Sequence, residues 1–160
     1  MELIQVKVLG VANDPINGTP IVLLAEKVGT RALPVWIGAP EANAISLALD
    51  NIKVERPLTH DLIASLLDGL SAKVEKVAIT ELSGNTFYAR IFLRRQDELF
   101  TVDARPSDSI AIALRARAPV LVARDLLYGP AGVEIEDDGE EDLADKLRQM
   151  KPEDFGKYKL

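Results

Sequence analysis

The sequence predicts an α+β fold: a mainly antiparallel mixed sheet with helices packed on it. Three observations lead there. The order strand, strand, strand, proline-opened helix occurs over residues 2–50 and again over 73–117. Apolar residues make up 48% of the 160 and aromatic residues only 5%, so the core must be filled by Val, Ile, Leu and Ala. Aligned on their helices, residues 41–47 and 108–114 share three identities and set Glu41 against Asp108. That reads as an internal duplication of a three-strand-plus-helix unit.

The elements follow in order. Residues 1–13 alternate Val6 and Val8 against Gln5 and Lys7, the period of a half-buried strand. Asn13-Asp14-Pro15-Ile16-Asn17-Gly18 is a turn cluster, and strands are expected over 19–27 and 31–37. Pro40 opens a helix where its missing N–H costs least, with Ile45, Ala48, Leu49 and Ile52 as its apolar face. Thr59 is read as the N-cap of a second helix carrying Leu62, Ile63, Leu66, Leu67 and Leu70. Strands are expected over 73–82, 87–93 and 99–103, the first pair closed by a Ser83-Gly84-Asn85 turn. Pro106 opens a third helix with Ile110, Ala113 and Leu114 inward, and residues 119–123 form a short buried strand. Gly129-Pro130 ends the compact part. The expected division is a domain over 1–130 and an acidic linker with a helical tail (Leu143, Leu147, Met150) over 131–160. Removal of residues 134–160 is expected to leave the domain folded.

Composition excludes several classes. There is no cysteine, so no disulfide scaffold, Cys-ligated zinc or thiol nucleophile. Apolar runs such as 42–49 are too short to span a bilayer, and residues 1–7 lack the pattern of a signal peptide. A cytoplasmic protein without membrane contact is expected. The net charge of −6 is unevenly placed: residues 134–145 hold eight acids and no base. Residues 90–124 hold seven arginines against four acids, so a confined arginine face is possible on a chain that is no general magnet for nucleic acid.

No glycine-rich phosphate loop is present, and His60 is the single histidine. What remains is a set of acids at helix starts. Asp103, ending a strand, and Asp108, in the next helix's first turn, could share Mg²⁺ or Mn²⁺ with water and substrate phosphate. Such an ion would activate water for phosphodiester cleavage. Arg105 between them suits a scissile phosphate, and Arg90 is a second phosphate candidate. His60 could move a proton, with Glu41 or Asp61 as an auxiliary carboxylate. Each has a plain alternative. Acids in a first turn favour the helix dipole, an Arg–carboxylate fork can brace a loop, and a lone histidine can be structural.

Five internal segments carry a resemblance: Leu33-Pro34-Val35-Trp36-Ile37-Gly38; Glu41-Ala42; Arg56-Pro57-Leu58-Thr59-His60-Asp61-Leu62; Phe87-Tyr88-Ala89-Arg90; and Val102-Asp103-Ala104-Arg105-Pro106-Ser107-Asp108-Ser109-Ile110-Ala111. With the ending Pro152-Glu153-Asp154-Phe155-Gly156-Lys157-Tyr158, they closely resemble the bifunctional nuclease domain family. The resemblance covers residues 1–128 and that tail. It implies a mixed α/β fold, nuclease action on DNA and RNA with nucleic acid as a transient substrate, and a homodimer. It assigns no residue a role. The extra C-terminal helical module of some bacterial relatives is expected to be lacking. The competing expectation is a non-enzymatic dimeric regulatory or scaffold protein, or a small-anion-binding module, in which the same polar residues brace loops.

Overall fold

A computed structural model describes residues 1–135. The strands are β1 (Leu3–Asn13), β2 (Pro20–Glu26), β3 (Arg31–Trp36), β4 (Lys73–Ser83), β5 (Thr86–Arg95), β6 (Glu98–Ala104), β7 (Val120–Ala123) and β8 (Val133–Glu134). The helices are α1 (Ala39–Leu49), α2 (Thr59–Gly69), α3 (Pro106–Ala116) and α4 (Arg124–Tyr128). One eight-stranded sheet runs β6-β5-β4-β7-β1-β2-β3-β8. Every pairing is antiparallel except β4 with β7, so the mixed sheet expected from the sequence is the sheet found.

The duplication is visible in the order of the strands. Two antiparallel meanders, β1-β2-β3 and β4-β5-β6, flank β7, each running outward from the centre and each ending in a helix that returns over the sheet. β7 stitches them together, Val120–Val122 pairing with Val77–Ile79 on one side and Leu3–Val6 pairing with 120–123 on the other. Tight turns make the meanders possible. Gly84 and Asn85 both adopt positive φ between β4 and β5, the pair of left-handed residues a two-residue hairpin requires.

One apolar cluster joins the halves on the helical face, with Val22, Leu24, Leu33 and Ile45 from the first and Val77, Ile79, Ile91 and Ile110 from the second. Each fully buried side chain of this size contributes about 1.5–3 kcal/mol. On the opposite face, among the described residues, a second apolar cluster belongs to the first half. Leu23, Ala25 and Ala32 are buried there with Val133. Across the same face of the second half, Arg90 and Asp103 stay exposed.

Several local expectations are corrected. α1 ends at Leu49, and Asn51 takes a left-handed conformation, so Ile52 lies beyond the helix and is exposed rather than on its apolar face. In α2, Ile63 and Leu67 pack inward, but Leu62, Leu66 and Leu70 recur every four residues on the outward side and stay exposed. Leu58 rather than Thr59 is the N-cap. β8 lies past residue 130: Val133 pairs with Ala32 and Glu134 with Arg31, so the compact unit continues through it. A cut before residue 134 would halve that strand. The acidic run and helical tail fall, from residue 136 onward, outside the described residues. No helix among the described residues is long and apolar enough to cross a membrane.

Candidate functional site

Three of the helices carry an acid as their third residue: Glu41 in α1, Asp61 in α2 and Asp108 in α3. A carboxylate there lies near unpaired backbone N–H groups and the positive end of the helix dipole. Asp61 follows the rule. The Leu58 N–H donates to its Oδ2 at 3.0 Å, and Arg115 Nε donates to its Oδ1 at 2.6 Å. Leu58 has no side-chain acceptor to reciprocate, so only half of a capping box exists.

Glu41 and Asp108 are instead drawn to one guanidinium. Arg105, the N-cap of α3, donates from Nε to Asp108 Oδ2 at 2.7 Å and from Nη2 to Glu41 Oε1 at 2.8 Å. The other oxygen of Asp108 lies 2.8 Å from His60 Nε2. An ionised carboxylate only accepts, so Nε2 carries the proton of this contact and Nδ1 is left as the second ring nitrogen. The result is a continuous chain, Glu41–Arg105–Asp108–His60, across the first turns of α1, α3 and α2. Its polar atoms differ in access: the Arg105 side chain is 55% exposed, that of His60 11%.

Gly38, the N-cap of α1, makes room for the chain. A Cβ there would collide with Glu41 Oε2. Arg105 is tied in by its own carbonyl, which accepts the N–H and the hydroxyl of Ser109, both at 3.0 Å.

The electrostatics follow from this geometry. Partial burial works to raise the Asp108 pKa, but hydrogen bonds from Arg105 and His60 outweigh it and hold the carboxyl below its usual value. Asp61 is lowered chiefly by the hydrogen bond from Arg115. Arg105 is raised well above the ordinary arginine value, first by Asp108, and is fixed as a cation. The chain thus sets one fixed cation between two carboxyl groups, with the His60 ring at its end.

Of the sequence candidates, Glu41, His60, Arg105 and Asp108 come together. Asp61 stands beside them with a bracing role. Asp103 and Arg90 do not join them. They are direct cross-strand partners, and the neighbouring pair Ala89–Ala104 faces the helices, so Asp103 and Arg90 project from the other face of the sheet. Asp103 and Asp108 therefore form no joint seat for a divalent ion, and both oxygens of Asp108 are already engaged. Among the described residues no group of three or more His, Asp or Glu side chains is arranged to hold a metal.

Arg115 has no counterpart among the candidates read from sequence. Its guanidinium reaches Asp61, the Ala111 carbonyl at 2.9 Å and the Ala44 carbonyl at 3.1 Å, tying together α2, α3 and α1. An arginine in a helix's last turn ordinarily reads as a solvated, dipole-favoured cation, and no local signal marks this one. Beside it lies a cavity of about 230 Å³, lined in part by Asn51, Lys53, Asp61 and Arg117. Asp61 faces that cavity while His60, its neighbour in sequence, faces Asp108.

Fold and site together define a duplicated α+β domain with one carboxylate–imidazole–guanidinium chain at its helix starts. The bifunctional nuclease domain profile matches residues 22–135, a span that holds all four members of the chain, and the protein belongs to that family. An uncharacterized protein of Mycobacterium tuberculosis is 39% identical over 154 residues, covering 96% of this chain and 92% of its own. Bifunctional nuclease 1 of Oryza sativa subsp. japonica is 30% identical over 111 residues, 68% of this chain. Bifunctional nuclease 2 of Arabidopsis thaliana is 26% identical over 140 residues, 81% of this chain. The chain spans 34% and 42% of the length of these two plant relatives.

Proposed function

We propose that this protein hydrolyses phosphodiester bonds of RNA or DNA, with low sequence specificity, at the Glu41–Arg105–Asp108–His60 chain. The observation that carries the reading is the pairing of an oriented imidazole with an exposed guanidinium. Asp108 fixes the ring through Nε2 and leaves Nδ1 to take a proton from an attacking water. The outward N–H groups of Arg105 hold a non-bridging phosphate oxygen and neutralise charge that grows in the transition state. Glu41 and Asp108 pin the guanidinium at the angle it must keep. Family membership and the names of the plant relatives support the substrate class. No base-reading pocket is invoked, consistent with low specificity. A homodimer is part of this reading.

Binding of a polyanion beside two carboxyl groups needs further positive charge, so the dependence on Mg²⁺ or Mn²⁺ is tested alongside the residues. Purified protein is assayed on single-stranded RNA and DNA with Mg²⁺, Mn²⁺ or EDTA, against Arg105→Ala and His60→Gln. Activity in the wild type that falls at least about a hundredfold in both variants supports the reading. Activity unchanged in both places the chemistry elsewhere.

A second reading, a non-enzymatic module that binds a small anion, is favoured by the cavity beside Asp61, where Lys53, Arg115 and Arg117 gather. It is distinguished by calorimetric binding of a mononucleotide or inorganic phosphate that Lys53→Ala and Arg117→Ala abolish while polynucleotides stay intact.

A further inference from the structure

We propose that β6 is the seam of a symmetric dimer, two copies of this chain pairing their β6 edges antiparallel about Thr101 into one continuous sheet. The proposal rests on the homodimer of the preceding reading and names its interface. It is independent of the nuclease chemistry.

Among the described residues β6 is the outermost strand of one sheet edge, and its seven residues pair with β5 in unbroken register. Proteins usually blunt such an edge with a lysine, a proline, a bulge or a very short strand. β6 has none of these. The opposite edge is the two-residue β8. Large apolar side chains line β6 and face water on both sides, with Leu99 65%, Phe100 43% and Val102 44% exposed. Its charges, Glu98 and Asp103, stand near its two ends.

The register follows from which side chains share a face. Phe100 and Val102 lie on the helical face opposite Leu93 and Ile91 of β5. A two-fold axis perpendicular to the sheet preserves faces, so only pairings centred on a residue keep apolar rows continuous. Centring on Phe100 would set Glu98 against Val102 of the other copy. Centring on Thr101 sets Phe100 of each copy against Val102 of the other. The row then reads Ile91, Val102, Phe100, Leu93 across the seam, extending the core. Within β6 the same register brings no like charges together: Glu98 falls across from Ala104 of the other copy and Leu99 across from Asp103.

The chain has no cysteine, so single cysteines report the seam cleanly. Residues on the axis of an antiparallel pair have Cα atoms roughly 4.5–5.5 Å apart, within disulfide range. The full-length protein is studied by sedimentation equilibrium at micromolar concentration. Thr101→Cys is oxidised and run on a non-reducing gel beside Leu66→Cys, which reports the exposed leucine side of α2. The expected mass is twice 17.5 kDa, with Thr101→Cys cross-linking and Leu66→Cys not. Thr101→Lys, which sets like charges together on the axis, is expected to halve the mass with an unchanged circular dichroism spectrum. A monomeric wild type overturns both the homodimer and its seam. A dimer that cross-links through Leu66→Cys and not Thr101→Cys, or that Thr101→Lys leaves intact, overturns the seam alone.

Discussion

In the first half of the molecule β3 leads through Gly38 into α1, and its outer edge is taken by β8. In the second half β6 leads through Arg105 into α3, and no strand among the described residues takes its outer edge. The plan is otherwise shared: three antiparallel strands, a helix that begins with an early proline, and an acid at the helix's third residue. Duplication thus supplies the frame and two equivalent carboxylates, Glu41 and Asp108. Function is read from the departures. One N-cap has no side chain and the other has the longest cationic one, so a single guanidinium bridges both acids. An isolated acid at a helix start contributes only a few tenths to about one kcal/mol. Joined through Arg105 and extended to His60, the two become a site that can orient an imidazole.

Arg105 is where the two halves differ most, and its loss should have the largest effect. Arg105→Ala removes the bridge and should lower nuclease turnover by about a hundred- to a thousandfold, the typical cost of losing a donor to developing charge. Arg105→Lys should restore only part, since an ammonium cannot fork two carboxylates and a phosphate at once. Arg115→Ala probes the neighbouring brace. Loss of a mostly buried cation leaves Asp61 and two carbonyls short of a donor, at about 3 kcal/mol. For a chain of this size that is a fall in Tm of about 8 °C by calorimetry. Arg94→Ala, which breaks an exposed pair with Glu75 at 2.7 Å, should leave Tm unchanged within error.

Gly38→Ala sharpens the contrast between the two N-caps. The new methyl displaces the Glu41 carboxylate and should lower kcat about tenfold while barely moving Tm. The mildest effect is on acid stability. Asp61 and Asp108 both titrate below their ordinary value of 3.8 in the folded protein. Each therefore adds stability that is fully present above about pH 4 and lost as pH falls through the folded value. Denaturant midpoints measured between pH 5 and 2 should fall less steeply in Asp61→Asn and Asp108→Asn than in the wild type.

Much of this frame is legible in the amino-acid order, because turns and periodicity are local. Gly84-Asn85 announces a hairpin, Pro40 and Pro106 announce helix starts, and the match of Glu41 with Asp108 announces the repeat. The meeting of Glu41, His60, Arg105 and Asp108 is legible as a candidate list, since each sits at a helix start. What local pattern does not carry is which face a strand presents. Asp103 is two residues from Arg105 in sequence, yet it projects from the face away from the helices, while the chain leaves the strand at Arg105 to begin α3. Nor does pattern show that Arg115 turns inward, because its partners lie 54 and 71 residues away. β8 is hidden for a similar reason: two residues make no periodicity, and only pairing with β3 defines them.

The sharpest test sets two carboxylates five residues apart against each other. Hydrolysis of a single-stranded oligonucleotide is followed with purified wild type, Asp108→Asn and Asp103→Asn at matched folded concentration. The structure predicts that Asp108→Asn loses at least about a hundredfold in kcat/KM while Asp103→Asn stays within about twofold of the wild type. Loss in Asp103→Asn with full activity in Asp108→Asn would contradict the assignment of the site.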